Sequence, residues 1–286
     1  MKVESHLSHW SGATSKITAP RWRTKLSTTS NYEIHFGGPD QPLGRLRDLL
    51  AEHIEAVPTG GAIDWITYYF RDRRLAEQLL QAHRRNVNVT VTLEGNPHIP
   101  DANNAVVAML SGEKGLGKGF RAVYLPPRVP IPGRKMGNPN LHEKLYCFSD
   151  PKPVAFIGSF NPSGDDPEDR PDIIHEIGDH NRAHNVLVGI SEPVLVDGLV
   201  NHAHWIHRAR HGILEPFFAD GNRALRGTNT EIHFLPRARS HAAASFLGRF
   251  GDGARIRVAA SHLVGTTSIK TMLRLARRGA TLEILA

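Results

Sequence analysis

The stretch that decides both fold and chemistry runs from Asn140 to Asn161 and reads NLHEKLYCFSDPKPVAFIGSFN. Two runs rich in aliphatic and aromatic residues, 141–148 and 154–160, flank a segment with two prolines. This pattern predicts two strands joined by a hairpin loop. Because side chains alternate along a strand, His142 and Lys144 are expected to point to one face of the hairpin.

The expected register of this hairpin brings four polar side chains together. Residues 150–153 are expected to form a four-residue loop, so that Ser149 pairs with Val154. Lys144 then lies opposite Ser159, and His142 lies opposite Asn161. Directly opposed residues have Cβ atoms about 4.5–5.5 Å apart. The hairpin would therefore gather an imidazole, an ammonium, a hydroxyl and a carboxamide on one patch.

These four groups suit a phosphate ester. A neutral imidazole, here His142, can attack phosphorus and form a covalent intermediate. Lys144 supplies positive charge, and Ser159 and Asn161 supply hydrogen-bond donors, for the charge that develops on the transferred group. The scheme needs no cofactor and no metal, and the sequence has no convincing carboxylate cluster to hold a metal.

At these residues the sequence resembles the phospholipase D superfamily, whose signature is His-x-Lys, then an aspartate, then Gly-Ser-x-Asn. His142 and Lys144 match the first part, and Gly158, Ser159 and Asn161 match the last. The resemblance implies that His142 is the nucleophile or its general-acid twin. It also implies that Lys144 and Asn161 bind phosphate.

The aspartate of the signature has no exact match. The family places it where Ser149 stands here, and the nearest aspartate, Asp150, comes one position late. The Gly-Ser pair is also two residues further along than usual, an even insertion that keeps the facing pattern. Asp150 is therefore expected to be a turn residue that at most supports the site.

The rest of the chain alternates between strand and helix patterns. Apolar spacing predicts a helix over 43–57, a strand over 63–70, a helix over 75–85 and a strand over 87–93. This order favours an α/β architecture with a largely parallel sheet. With the hairpin added, the expected fold is α/β, a mixed β-sheet flanked by helices on both faces.

The C-terminal part of the sequence repeats the N-terminal part. The tetrapeptide Glu-Ile-His-Phe stands at 33–36 and again at 231–234. Residues 256–286 align without a gap on 63–93, with identity at Ile63, Leu80, Arg84 and Arg85. Chance similarity between two strand–helix–strand units is the alternative, but the repeated tetrapeptide favours a duplication. The paired Glu and His residues of the tetrapeptides could line a shared cleft or serve packing at a strand start.

Three regions are expected from these patterns. Residues 1–30 form a poorly ordered N-terminal extension, because they are rich in serine and threonine and lack apolar periodicity. Residues 31–225 form a complete first domain with the His-x-Lys and Gly-Ser-x-Asn motifs. Residues 226–286 begin a second repeat that lacks its own His-x-Lys.

The resemblance implies an active site built from two such motifs, in which one histidine attacks and the other protonates the leaving oxygen. No second His-x-Lys occurs in the sequence, and His233, His241 and His262 stand in other contexts. The second half-site is thus expected from residues missing beyond Ala286, or, as a second choice, from a homodimer. A catalytically silent relic is the third possibility.

Composition adds little to this picture. There are 35 Lys+Arg against 28 Asp+Glu, a formal net charge of +7, which favours phosphate-bearing partners such as nucleic acid or anionic lipid. The single cysteine, Cys147, excludes a disulfide scaffold. The apolar runs are too short to span a bilayer. The expected location is the cytoplasm, with peripheral contact to an anionic membrane as an option.

The function expected from the sequence is phosphodiester hydrolysis or phosphatidyl transfer through a phosphohistidine intermediate. A phospholipid is the first-choice substrate and nucleic acid the second. The alternative from another class is a silent protein that binds phosphate or a membrane surface.

Overall fold

The structure is a computed structural model that describes residues 31–124, 140–163, 170–176, 183–208, 222–235, 242–260, 263 and 266–285. The expected N-terminal extension over 1–30 lies outside the described residues.

The helices and strands over 43–93 and the hairpin follow the order that the sequence patterns predict, and the structure adds further elements around them. The first part contains β1 (Tyr32–Gly37), α1 (Arg45–Ala56), β2 (Ala62–Thr67), α2 (Arg73–Arg84), β3 (Asn88–Glu94), α3 (Asn104–Ser111), β4 (Phe120–Val123), β5 (Leu145–Phe148), β6 (Val154–Gly158), α4 (Pro171–Glu176), β7 (Asn185–Ile190) and α5 (Pro193–Arg208). The C-terminal part contains β8 (Leu225–Arg226), β9 (Glu231–Ile232), α6 (Ala242–Leu247), β10 (Arg255–Ala259), α7 (Thr266–Arg277) and β11 (Thr281–Leu285).

Seven strands form one mixed sheet in the order β1-β7-β6-β5-β2-β3-β4. Pairing is parallel between β2 and β3 and between β3 and β4, and antiparallel between all other neighbours. The mixed sheet is confirmed, whereas the expectation that it would be largely parallel is wrong. Parallel pairing is confined to the strands that are connected through helices, and the hairpin adds antiparallel strands beside β2.

Helices cover both faces of this sheet, as predicted. Trp65, Tyr146 and Phe156 face one hydrophobic core, which also takes the buried residues of α1, α2 and α3. Leu145 and Ala155, next to them along the strands, face a second core built on α5. The switch from one core to the other at each residue follows from strand alternation. None of the described helices has the length and apolar character that a bilayer crossing requires.

The hairpin register differs from the predicted one by one residue. Phe148, not Ser149, pairs with Val154, and Leu145 pairs with Ile157. Ser149 is drawn toward β2 instead, because its hydroxyl accepts a hydrogen bond from the Ala62 backbone N–H (2.8 Å). The predicted pairs of Lys144 with Ser159 and of His142 with Asn161 are therefore wrong.

The motif residues also lie outside regular strand. β5 begins only at Leu145, so His142 and Lys144 precede it, and Asn161 follows the end of β6. Alternation along the strand therefore does not fix where these side chains point.

The C-terminal unit β10-α7-β11 has the same geometry as β2-α2-β3. Both strand pairs are parallel, and Ile63 pairs with Val89 as Ile256 pairs with Leu282, which are the aligned positions. Asn86 and Gly279 are also aligned, and each has a left-handed backbone, with φ of 63° and 94°. We propose, on this shared register and turn, that residues 226–286 begin a second copy of the first domain.

Gly158 offers a test of how closely β6 and β7 approach. A Cβ added at Gly158 would lie 1.9 Å from the backbone oxygen of Val186, which the sheet holds in place. Gly158→Ala should lower the free energy of unfolding by about 1–3 kcal/mol, measured by urea denaturation. The matched control is Gly251→Ala, where an added Cβ meets nothing within 4 Å. It should change stability by less than about 0.5 kcal/mol. Equal effects at the two positions would contradict the close approach.

Candidate active site

The site is built where β2 and β3 end. Asn103, at the start of α3, accepts a hydrogen bond from the Phe70 backbone N–H (2.8 Å). Its Nδ2 donates to the backbone oxygens of Tyr68 (2.9 Å) and Glu94 (3.2 Å). One buried carboxamide thus fixes Tyr68, which follows β2, and Glu94, which ends β3. The carboxyl ends of parallel strands are a common place for ligand sites in α/β folds.

Glu94, the last residue of β3, holds the start of the His-x-Lys motif. It is only 1% exposed, and its carboxylate accepts hydrogen bonds from the backbone N–H groups of Leu141 (2.6 Å) and Asn96 (2.9 Å). Burial raises the pKa of Glu94, and these two bonds oppose that shift. The bond to Leu141 places the next residue, His142, beside the end of the sheet.

His142 and Lys144 gather around Tyr68. The exposed His142 ring lies 4.8 Å from the Tyr68 ring, centroid to centroid. Lys144 Nζ lies 5.5 Å from the Tyr68 centroid and donates to the His142 backbone oxygen (3.0 Å). The Lys144 side chain is buried, and burial lowers its pKa to about 8, although the neighbouring Glu143 carboxylate opposes the shift. Because the Lys144 ammonium is poorly hydrated, it is available to bind an anion beside His142.

Asn161 is hydrogen-bonded to Tyr69, the residue that follows Tyr68. Its Oδ1 accepts from the Tyr69 backbone N–H (3.2 Å), so Asn161 can act toward a ligand as a donor through Nδ2. The Pro162 oxygen accepts from the backbone N–H groups of Arg71 (2.8 Å) and Asp72 (3.1 Å). The residues after β2 therefore carry contacts to all three of His142, Lys144 and Asn161.

Ser159 and Asp150 are placed elsewhere. The Ser159 hydroxyl donates to Asn185 Oδ1 (3.0 Å) and accepts from the Val186 backbone N–H (3.1 Å), which ties it to β7. Asp150 lies in the turn at the opposite end of β5 from Lys144, where it accepts a hydrogen bond from the Ser149 hydroxyl (2.5 Å). The structure thus does not bring Asp150 to the site, and it directs the Ser159 hydroxyl toward β7.

A cavity of about 500 Å³ opens beside the motif. Its polar lining includes His142, Glu143, Lys144 and His233. Its apolar lining consists of Leu145, Ile157, Leu199, Ile232, Phe234 and Leu235. His142 and Lys144 thus line one cavity together with these apolar side chains.

His233 is the residue that sequence reasoning set aside. It belongs to the second Glu-Ile-His-Phe tetrapeptide, and its Nε2 lies 3.2 Å from Glu231 Oε2. Its Nδ1 is buried and has no hydrogen-bond partner among the described residues. The repeated tetrapeptide was the only signal in the sequence for His233. In the first copy, His35 pairs with Glu33 in the same way. Glu94 could have been singled out as a charged residue that ends a buried strand.

Comparison with known families decides the assignment of this region. Residues 59–186 match the family model described as "Cardiolipin synthase, PLD-like domain". Residues 59–186, a little under half of the chain, thus match a phospholipase D-like domain. The matched range extends from just before β2 to β7 and includes His142, Lys144 and Asn161. Within the described residues, no group of three or more His, Cys, Asp or Glu side chains could hold a metal ion.

Solved structures give likeness at the level of the fold. Nuc from Salmonella typhimurium is 18% identical, with a TM-score of 0.41, over 60% of this chain and 92% of that one. NucT from Helicobacter pylori is 13% identical, with a TM-score of 0.43, over 61% and 95%. Polyphosphate kinase from Porphyromonas gingivalis is 15% identical, with a TM-score of 0.52, over 88% of this chain but 37% of the kinase. No curated protein matches the sequence.

Lys144 yields a stability prediction. A pKa lowered from 10.5 to about 8 means that keeping Lys144 charged in the folded state costs about 3 kcal/mol at pH 7. Lys144→Met should therefore stabilise the fold at pH 7, by roughly 1–2 kcal/mol after loss of the Nζ hydrogen bond. Between pH 8 and 10.5, Lys144 binds more protons in the unfolded chain than in the folded one. The wild type therefore gains stability as pH rises, and the stability difference between wild type and Lys144→Met should disappear.

Denaturation of both proteins at pH 7 and at pH 9.5 measures this. Lys152→Met is the matched control, because Lys152 is exposed and should show no such gain. A Lys144→Met protein that is less stable than wild type at pH 7 would contradict the account.

Proposed function

We propose that the chain is a phospholipase D-type phosphodiesterase or phosphatidyltransferase that works through a phosphohistidine formed on His142. The observation that carries the proposal is the exposed His142 imidazole beside the buried Lys144 ammonium in one cavity. In this scheme a His142 nitrogen attacks phosphorus and the ester bond to the leaving oxygen breaks. Lys144 and Asn161 Nδ2 stabilise the charge on the phosphoryl oxygens.

A phospholipid is the proposed substrate. The cavity is lined by the Lys144 cation and by six apolar side chains, among other residues. This combination suits a molecule with an anionic phosphodiester next to hydrocarbon, because the two parts gain from different surroundings. The apolar wall favours lipid over a polynucleotide, whose phosphates are flanked by sugars.

A nuclease is the second candidate, and the net charge of +7 favours it. Binding to DNA through several phosphate contacts should weaken steeply as salt rises. A lipid that is held partly by apolar contacts should show a weaker dependence on salt. A silent phosphate- or membrane-binding protein would bind either ligand without releasing product.

The scheme also needs a proton donor for the leaving oxygen, and we propose His233. It lines the cavity that holds His142, and because its Nδ1 is buried, Nε2, which lies 3.2 Å from Glu231 Oε2, is the nitrogen that would exchange the proton. In the first step His233 gives its proton to the leaving alkoxide as the bond to His142 forms. In the second it takes a proton from water or an acceptor alcohol, which attacks phosphorus and frees His142. Residues beyond 286 or a second copy of the chain are the alternative sources of this group.

His142→Ala tests the nucleophile. The full chain is assayed with a short-chain phosphatidylcholine and with an aryl phosphodiester, with chelator present throughout. Wild-type turnover should persist with chelator, and the variant should lose it, because no other group forms the bond to phosphorus. Rapid quench in alkali should trap a phosphorylated chain of wild type, since phosphohistidine survives base but not acid.

The matched control for this loss is His83→Ala, an exposed histidine of α2 on the outer surface of the fold. It should retain wild-type turnover. A His142→Ala protein that is as active as this control would refute the proposed function, and so would turnover without any trapped intermediate.

The role of His233 predicts a dependence on the leaving group. His233→Asn should slow phosphatidylcholine turnover by about 10²–10⁴-fold, the usual worth of general acid catalysis. The same variant should lose far less with an aryl diester, whose acidic alcohol leaves without a proton. An equal loss on both substrates, or no loss on either, would refute His233 as the proton donor. The donor would then have to come from a second copy of the chain or from further residues.

A further inference from the structure

The residue between His142 and Lys144 is tied to helix α5. The two carboxylate oxygens of Glu143 lie 2.9 and 3.0 Å from His202 Nε2, whose N–H donates to them. His202 is 3% exposed and projects from α5 among the apolar residues of the second core. A polar ring in such a place is costly unless it is hydrogen-bonded, and Glu143 supplies the partner.

His202 also joins this pair to the C-terminal part of the chain. Its ring stacks on Phe234, with centroids 3.7 Å apart and an interplanar angle of 15°. Phe234 ends the second Glu-Ile-His-Phe tetrapeptide, one residue after His233. A single buried imidazole therefore connects the His-x-Lys motif, α5 and the segment that carries the proposed proton donor.

The motif needs a tie of this kind because it precedes the strand. β5 begins at Leu145, so residues 142–144 are not held by its pairing with β2 and β6. Upstream, the Leu141 N–H is fixed by Glu94. Glu143 supplies a second anchor two residues later, and it leaves His142 and Lys144 on either side to line the cavity.

We propose that Glu143 and His202 are positioning residues of this site, which hold the motif in its catalytic geometry and keep a negative charge beside Lys144. The inference rests on the proposed function. The groups near Lys144 are the Glu143 carboxylate, the His142 oxygen and the Tyr68 ring that follows β2, and His233 lines the same cavity. Glu143 is the one acid among them, and its charge opposes the lowering of the Lys144 pKa by burial.

Removal of the charge and removal of the anchor should have different effects. Glu143→Gln removes the charge, so the pKa of Lys144 should fall by about one unit. The alkaline limb of the pH profile of kcat should move to lower pH by the same amount. His202→Leu keeps the charge but removes the anchor, so kcat should fall about 10–100-fold through misplacement while the alkaline limb does not move to lower pH.

His202→Gln is the conservative variant, because its side-chain amide can still donate to Glu143. It should recover most of the kcat that His202→Leu loses. A merely structural role would give equal losses in the two His202 variants, in step with their melting temperatures. It would also leave the alkaline limb of Glu143→Gln unchanged.

The pKa of Lys144 is measured independently of turnover, by NMR titration of the lysine side-chain signals in the full chain. Wild-type protein without phosphodiesterase activity would refute the proposed function alone. A Glu143→Gln protein whose Lys144 pKa equals that of wild type would refute this inference, whether or not the enzyme turns over.

Discussion

The site depends on a small group of hydrogen bonds between two segments. The Tyr69 backbone N–H donates to Asn161 Oδ1. The neighbouring N–H groups of Arg71 and Asp72 donate to the Pro162 oxygen. These bonds attach the segment after β6 to the segment after β2, across strand β5. The Tyr146 hydroxyl adds to them from within the core, since it donates to the Phe160 oxygen (2.7 Å). Because His142 and Lys144 lie against Tyr68, this group of bonds brings both halves of the motif to the same few residues.

The sheet alone would not produce this arrangement. His142 and Lys144 come before β5, and Asn161 comes after β6, so ladder hydrogen bonds do not hold them. Buried polar side chains do so instead: Asn103 fixes the ends of β2 and β3, and Glu94 fixes Leu141. Each of these groups costs free energy to bury and recovers it only when fully bonded. The polar network is therefore best understood as a support for the exposed His142 imidazole.

Lys144 shows how function and stability oppose each other here. A buried ammonium is destabilising at neutral pH, but the same lack of hydration strengthens its attraction to a bound anion. Glu143 moderates the cost without neutralising the cavity, because it also bonds to His202. A phosphodiester that enters the cavity would replace water as the partner of this charge.

Local patterns in the sequence were enough to predict most of the fold. The βαβ units and the hairpin follow from apolar spacing, and the chemistry proposed for His142, Lys144 and Asn161 follows from their motif. The hairpin register could not be predicted in this way, because the Ser149 hydroxyl accepts a hydrogen bond from Ala62, which is distant in sequence. The same limit applies to Glu94 and His202. Their roles come from contacts over long sequence separations, which no local spacing encodes.

The most direct measurement of the central claim is a crystal structure of the full chain grown with tungstate, a heavy oxyanion with the shape of phosphate. The account predicts one tungstate within hydrogen-bond distance of the side chains of His142, Lys144 and Asn161 together. Tungstate bound elsewhere on the chain, or bound with Asn161 turned away from the two other residues, would contradict it.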